Sequence, residues 1–378
     1  MSQARTSKFY LDNFSPSKIT LARELRGLSK KALAEKIQKT PSAVTQIENG
    51  TLKPDVDTFT SIAMALSVRP SFFSDVSVTP DASLTECNFR SKRAATQGLK
   101  KQSIAYGRIV VQLFEFLEGL GVSFPTANIP KYNDVPLTKL DRIAGSVRDH
   151  WNLGVSPLPG LMNLLEEHGV FIILLDANSS NLDAYSTYID GRPCIMVDYN
   201  KSASRQQFDL AHELGHLVLH EDSEANLVNK EREANWFGGS FLAPAELFRQ
   251  ECPRRWHYSA YLELKQRWHM SIQACMYRAK QLNIMTDSSY RWGMKQISMR
   301  NERINEGGEF EKTKPVLLAQ ALDLVKDEVS IPQLSEELGL NSAELISLLE
   351  VQQVPASVVE ALSPKLKQQS KIVSIRRQ

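Results

Sequence analysis

The run His212-Glu213-Leu214-Gly215-His216 constrains this chain more than any other stretch of its 378 residues. Two histidines four apart on a helix project from one face, about one turn from each other. Their imidazoles can grip one metal ion while the glutamate between them faces the same cavity. A catalytic zinc usually takes three protein ligands and leaves a fourth position open. Glu213 then has a role of its own, taking a proton from water that attacks a carbonyl. A bare pattern of this kind also arises by chance, so the residues beyond it decide the reading.

Fifteen residues beyond His216 comes Glu231-Arg232-Glu233-Ala234-Asn235. In glutamate-type zinc peptidases the third ligand heads an E-x-x-x-D/N run on a second helix, and the last residue of that run steadies a ligand histidine. Glu231 with Asn235 has this spacing. Glu233 lies about 200° around the helix from Glu231, so both cannot face one ion, and Glu233 is the fallback ligand. His220 continues the four-residue period, but on a straight helix it lies about 12 Å along the axis from His212. It is expected to be a partly buried helix-end histidine that takes no part in holding the ion.

Four blocks occur in order: Leu182-Asp183-Ala184-Tyr185-Ser186, Asp190-Gly191-Arg192-Pro193-Cys194-Ile195, Phe208 to Leu217 around the two histidines, and Glu231 to Pro244. Together they resemble the ImmA/IrrE metallopeptidase family over about residues 145–290. The resemblance implies a small zincin-like α+β domain, bound Zn2+, and cleavage of a repressor-type protein that controls stress or mobile-element genes. Three departures sit beside the expected ligands: Arg205-Gln206-Gln207 for a more basic run, Phe237-Gly238 for Phe-Ala, and Leu242-Ala243-Pro244 for Leu-Met-Pro. They bear on substrate fit more than on metal binding.

The front of the chain has a different character. Residues 1–53 hold ten Lys/Arg and four Asp/Glu, whereas residues 205–251 hold four and nine. A basic end beside an acidic, metal-holding middle points to a nucleic-acid contact at the front. Ser29 is placed to cap a helix whose Leu33, Ala34 and Ile37 share a face. After a four-residue break, Thr40-Pro41 opens a second helix with a capping residue and a proline at its first position. Val44 and Ile47 turn inward there, and Gly50 ends the helix. Two short helices joined so tightly form a helix-turn-helix, whose second helix enters the major groove. With Ile47-Glu48-Asn49-Gly50, Lys53-Pro54 and a helix over 58–66, the unit resembles the five-helix Cro/repressor family. Ser42, Thr45 and Gln46 face outward, with Gln46 placed to read adenine. Lys30, Lys31 and Lys39 are placed for phosphates of double-stranded DNA. Lys30 stands where that family has Gln, and Gln38 where its turn has Gly; a non-glycine in a left-handed turn costs about 1 kcal/mol.

A chain of this length predicts two or three domains. The expected fold is mainly α: a helix-turn-helix domain over 1–76, a helical connector over 77–138, the zincin-like α+β domain over 139–300, and a linker and helical interaction tail over 301–378. In the connector, a basic run over 89–101 precedes a helix over 104–119. Ile195-Met196-Val197 is expected at the sheet edge where substrate adds as a further strand. Asp190-Gly191 reads as a hairpin turn, and Gly215 as a close contact between the metal helix and the sheet. His257, His269 and Tyr277 are undecided candidates for an oxyanion donor. Leu334, Leu338, Leu345 and Leu349 recur helically in the tail, which suggests an interaction or dimerisation module. No apolar run approaches a membrane span and no signal pattern opens the chain. The four scattered cysteines suit reduced thiols, so a cytoplasmic location is expected.

The leading expectation is a DNA-binding regulator fused to a zinc endopeptidase. The alternative is a non-catalytic zinc-binding transcription factor or an antitoxin-like partner-binding regulator. An acidic stretch over 221–224 and the basic run over 89–101 could also couple the two halves by attraction.

Overall fold

The structure, a computed structural model, describes residues 10–74, 97–176, 184–220 and 227–363. The acidic stretch 221–224 and the basic run as far as residue 96 lie outside the described residues, and so does any coupling between them. The chain is mostly helical, with one small sheet.

At the front, α1 (Pro16–Leu25), α2 (Lys30–Lys36), α3 (Pro41–Glu48) and α4 (Val56–Leu66) surround Ile19, Leu33, Val44, Ile47, Phe59 and Ile62, all buried. Caps set the helix starts. Ser29 accepts from Ala32 N, Thr40 from Ala43 N and Asp55 from Thr58 N, and each cap satisfies a backbone donor the helix cannot. The turn between α2 and α3 is made at Gln38, whose φ of 53° is the left-handed value anticipated there. The fifth element is only a 3-10 turn, Pro70–Phe73. Inside the unit, Arg23 of α1 donates through Nε to Glu48 of α3 at 2.5 Å, and both are buried. This pair ties the outward-facing helix α3 to its scaffold.

The long helix α5 (Gln97–Gly119) leads to α6 (Leu140–His150), α7 (Leu161–Glu167) and the strands β1 (Phe171–Leu175), β2 (Ala184–Ile189) and β3 (Arg192–Asp198). The strand order is β1-β3-β2, with β1 parallel and β2 antiparallel to β3. The β2–β3 hairpin turns at Asp190 and Gly191, both at positive φ, as a two-residue turn of that hand requires. Because side chains alternate across a sheet, β1 and β3 serve two cores. Phe171, Ile173, Cys194 and Met196 pack with α5 and the front domain, whereas Ile172, Leu174, Ile195 and Val197 pack under α8 (Ala203–Leu219). The sheet is the partition between the two halves of the molecule.

This topology corrects one expectation. Ile195-Met196-Val197 is not an edge, because β3 runs between β1 and β2. The physical reason is visible in burial: Pro193 to Asp198 are buried at every position, as a strand covered on both faces must be. The strand β2 alternates half-buried and buried residues and is the true edge on that side. On the other side the amide of Gln352 covers β1, accepting from Leu174 N at 3.1 Å and donating to Leu174 O at 2.8 Å.

Beyond α8 come α9 (Leu227–Leu242), α10 (Ala245–Glu251), α11 (Tyr258–Trp268), α12 (Ile272–Gln281) and α13 (Asp287–Met299). The segment 301–314 is more than a linker. Glu306 accepts from Ile272 N and Gln273 N, and Glu309 from Ser204 N and Ser204 Oγ, so the strap closes the N-terminal ends of α12 and α8. Both carboxylates also meet the buried Lys265.

The last helices, α14 (Leu317–Val325), α15 (Ile331–Glu337), α16 (Ser342–Val351) and α17 (Ala356–Leu362), fold back on the front domain. Leu334, Leu338, Leu345 and Leu349 are buried in the core that contains α1 and α5. The stripe expected to serve a partner therefore packs within the chain. Arg26 pairs with Glu344 and Arg69 with Glu336, while Arg69 N donates to Gly339 O at 2.8 Å. Gly339 stands at φ 63°, and a Cβ there would lie 2.4 Å from Phe72 Cα, so only glycine fits this contact.

Candidate metal centre

Helices α8 and α9 cross at very close range. A Cβ on Gly215 would lie 3.1 Å from Phe237 and 3.2 Å from Ala234 Cα, and one on Gly238 would lie 3.1 Å from His212 N. Gly215 thus packs against α9 and not, as expected, against the sheet. The Gly238 that departs from the family's alanine lies against the backbone of the histidine helix itself. Two glycines let the helices approach until Glu231 reaches the histidine pair.

His212, His216 and Glu231 each offer a donor atom within 4.8 Å of the others. The two Nε2 atoms stand 3.1 Å apart, and the Glu231 carboxylate lies 3.5 Å from His212 Nε2 and 3.4 Å from His216 Nε2. Both histidines are buried, and Glu231 is partly open to solvent.

The partners of the outer ring nitrogens show what this cluster can hold. Asn235 donates through Nδ2 to Glu231 O at 2.7 Å, so its Oδ1 is turned toward His212 Nδ1, 3.1 Å away. An amide oxygen only accepts, so His212 Nδ1 carries a hydrogen, and in the neutral ring Nε2 is the nitrogen with a lone pair. His216 Nδ1 lies 3.0 Å from His220 Nδ1. Burial lowers the pKa of His216 to about 4, which leaves a neutral ring near pH 7. Two imidazole nitrogens and a carboxylate oxygen thus converge on one point, where a single cation would meet all three. This donor set, two nitrogens and one oxygen, is that of a catalytic zinc site.

Glu213 is buried beside this cluster, with Oε1 4.0 Å from His212 Nε2. Burial raises its carboxyl to about 7, against the pull of His212 and of a hydrogen bond from Ser186. Ser186 Oγ, on β2, donates to Glu213 Oε2 at 2.8 Å. Nothing in the spacing of the sequence marks Ser186 for this contact, since it depends on how β2 lies over α8. Glu233 turns away from the cluster and lies 2.8 Å from His220 Nε2. The expectation for His220 also needs correction: it is 1% exposed and sits directly behind a candidate ligand. The oxyanion candidates stay apart from this group in their described contacts. His257 meets Ser259, His269 packs on Phe310, and Tyr277 is exposed.

On the front domain Ser42 and Gln46 are exposed on α3, and Lys31 and Lys39 are exposed around the turn. Thr45 is half-buried and donates back to Pro41 O, and Lys30 is drawn to within 3.4 Å of Glu48. These two are therefore less available to DNA than the sequence implied.

Comparison with known families matches residues 19–73 to the helix-turn-helix domain and residues 165–280 to the IrrE N-terminal-like domain of the M78 peptidases. The chain joins a DNA-binding helix-turn-helix domain to an ImmA/IrrE-family peptidase domain. The second match contains the histidine pair, Glu213, Ser186 and Glu231, and the first contains the whole of α2 and α3. A search of curated proteins returned no match. Among the described residues no helix is long and apolar enough to cross a membrane.

Proposed function

We propose that this chain is a transcriptional regulator whose peptidase domain is a zinc-dependent endopeptidase acting on a repressor-type protein. The observation that carries the reading is the convergence of three lone-pair donors beside a buried carboxylate held by a serine. In this reading His212, His216 and Glu231 are the ligands, Asn235 orients His212, and Glu213 is the general base. Bound zinc supplies Lewis acidity, which acidifies water and polarises a carbonyl. Glu213 takes the proton of the attacking water on a carboxylate oxygen and returns it to the leaving amine. Burial beside the cluster favours the protonated form of Glu213, with which it returns the proton, and a neighbouring cation would favour the charged form, with which it accepts it.

An extended peptide would join the sheet at β2, the edge strand that carries Ser186. The other outer side of the sheet is taken by Gln352. The repressor-type substrate and the control of stress or mobile-element genes rest on the likeness to ImmA/IrrE peptidases. Reading of paired half-sites would make the DNA-bound form a homodimer, and the setting is cytoplasmic. The deciding experiment is intact-mass analysis of candidate repressors, and of the chain itself, after incubation with the zinc-loaded protein. Discrete fragments with the native chain and none with Glu213→Gln support the reading. No fragment from any substrate leaves a DNA-binding protein without this activity.

Ser186→Ala tests how the base is held. A donor to a carboxylate favours its charged form, so removing it raises the Glu213 pKa. The acid limb of kcat/KM against pH is expected to move up by about one unit, the size of one hydrogen bond to a charged group. An unmoved limb would show that Ser186 does not govern the base.

For the front domain, binding to duplex DNA is expected to weaken steeply with salt, because each phosphate contact releases counterions. Lys39→Ala should weaken binding to all sequences alike and flatten the salt slope by about one. Gln46→Ala should relax preference at one base pair, a difference of about 1–3 kcal/mol. A titration that finds the native salt slope in Lys39→Ala removes that residue from the phosphate contacts.

A further inference from the structure

His220 and Glu233 form a short relay behind the candidate metal centre. His220 closes α8 four residues beyond His216, and it is 1% exposed. Its Nε2 lies 2.8 Å from Glu233 Oε2, and its Nδ1 lies 3.0 Å from His216 Nδ1. Glu233 stands on α9 two residues from Glu231, which faces the opposite way. The two glutamates of one helix thus take opposite stations, one beside the imidazole cluster and one behind it.

The direction of the hydrogens is set from the far end of these contacts. A carboxylate only accepts, so His220 Nε2–H donates to Glu233. A neutral imidazole that has given its Nε2–H keeps a lone pair on Nδ1, which must then accept from His216 Nδ1–H. His216 is left with its lone pair on Nε2, the atom that faces His212 and Glu231. Metal-binding histidines commonly donate their second nitrogen to a carboxylate or a carbonyl, which sets the tautomer and the ring orientation. Here a second imidazole stands between the ligand and the carboxylate. Asn235 does the same for His212 directly.

We infer that His220 and Glu233 are positioning residues that hold His216 in its metal-binding tautomer, with Glu233 acting through His220. The inference rests on the reading of His212, His216 and Glu231 as a zinc site. It assigns the fallback ligand Glu233 a place outside the ion's own ligand set. It also separates the two roles by their substitution patterns. Where Glu231 must be a carboxylate on the ion, Glu233 need only accept a hydrogen bond, and glutamine can do that.

The test is zinc affinity measured by chelator competition on the full chain, for His220→Leu, His220→Asn, Glu233→Leu and Glu233→Gln. Losing such a partner typically weakens metal binding by about 10–100-fold, and that loss is expected for both leucine variants. Asparagine puts an acceptor where Nδ1 stood, and Glu233→Gln keeps an acceptor for Nε2–H, so both should recover most of the affinity. Nitrogen shifts of the His216 ring in the metal-free protein should report hydrogen on Nδ1 in the native chain and loss of that preference in Glu233→Leu. Native affinity in the leucine variants, or asparagine and glutamine no better than leucine, overturns the inference. If His220→Leu does not fold, the Glu233 pair and the ring shifts still decide. Glu231→Ala is the control. If it binds zinc as the native chain does, or the native chain binds none, the zinc site itself is misread and the inference falls with it. If Glu231→Ala loses zinc and the leucine variants do not, only the relay is wrong.

Discussion

Replacing Glu213 by glutamine is expected to remove peptide cleavage while leaving zinc in place. Glutamine has nearly the shape of glutamate, and its oxygen can still accept from Ser186 Oγ, so the packing under β2 is kept. It cannot take a proton at neutral pH. General acid–base groups contribute about 10²–10⁴-fold to rate, so cleavage should fall by at least the lower of these factors. Metal content should not change, since the Glu213 carboxylate is outside the converging donor set. The variant should also hold substrate without cutting it, which makes it the form for capturing the unidentified protein. Two measurements check this, metal analysis of the purified variant and fragment mass after incubation. A variant that cuts at the native rate refutes the role of Glu213. One that has lost its metal moves Glu213 into the ligand set.

Removing a ligand should have the converse signature. His212→Ala, His216→Ala and Glu231→Ala are each expected to lose zinc by more than the roughly 10–100-fold typical of an outer partner. The cause is the donor count. Three protein atoms converge within 4.8 Å, and two remain after any one substitution. Glu231 is the informative member, because it alone of the three is partly exposed and comes from a second helix. Chelator competition on the three variants beside Glu233→Ala ranks the candidates. If Glu233→Ala proves weaker than Glu231→Ala, the third ligand belongs to Glu233 and the helix α9 is turned differently about its axis.

How much of this could be read from the chain depends on the range over which each feature is decided. Helix caps, the hairpin at Asp190-Gly191 and the shared face of His212 and His216 are local. They arise from φ preferences and a period of 3.6 residues, and spacing alone points to them. The left-handed turn at Gln38, by contrast, is expected only from the resemblance to a family with Gly there. Helix geometry shows only that Glu231 and Glu233 cannot both face one ion; the choice of Glu231 with Asn235 comes from the resemblance to the E-x-x-x-D/N run of glutamate-type zinc peptidases. What spacing cannot carry is the other half of each contact. Ser186 reaches Glu213 only because β2 lies over α8, and His220 reaches Glu233 only because two glycines bring α8 and α9 together. The order β1-β3-β2 was hidden for a similar reason. An apolar run shows that a strand is buried, but the neighbours that bury it come from elsewhere in the chain. The leucine stripe of the tail is the plainest case. Its period showed that the helices hide one face, whereas only the tertiary structure shows that the face joins the apolar core of the front domain, with Arg69–Glu336 and Arg26–Glu344 pairing beside it across 267 and 318 residues. Local backbone chemistry wrote the elements and the ligand spacing into the sequence; long-range packing, which no window of residues contains, chose their partners.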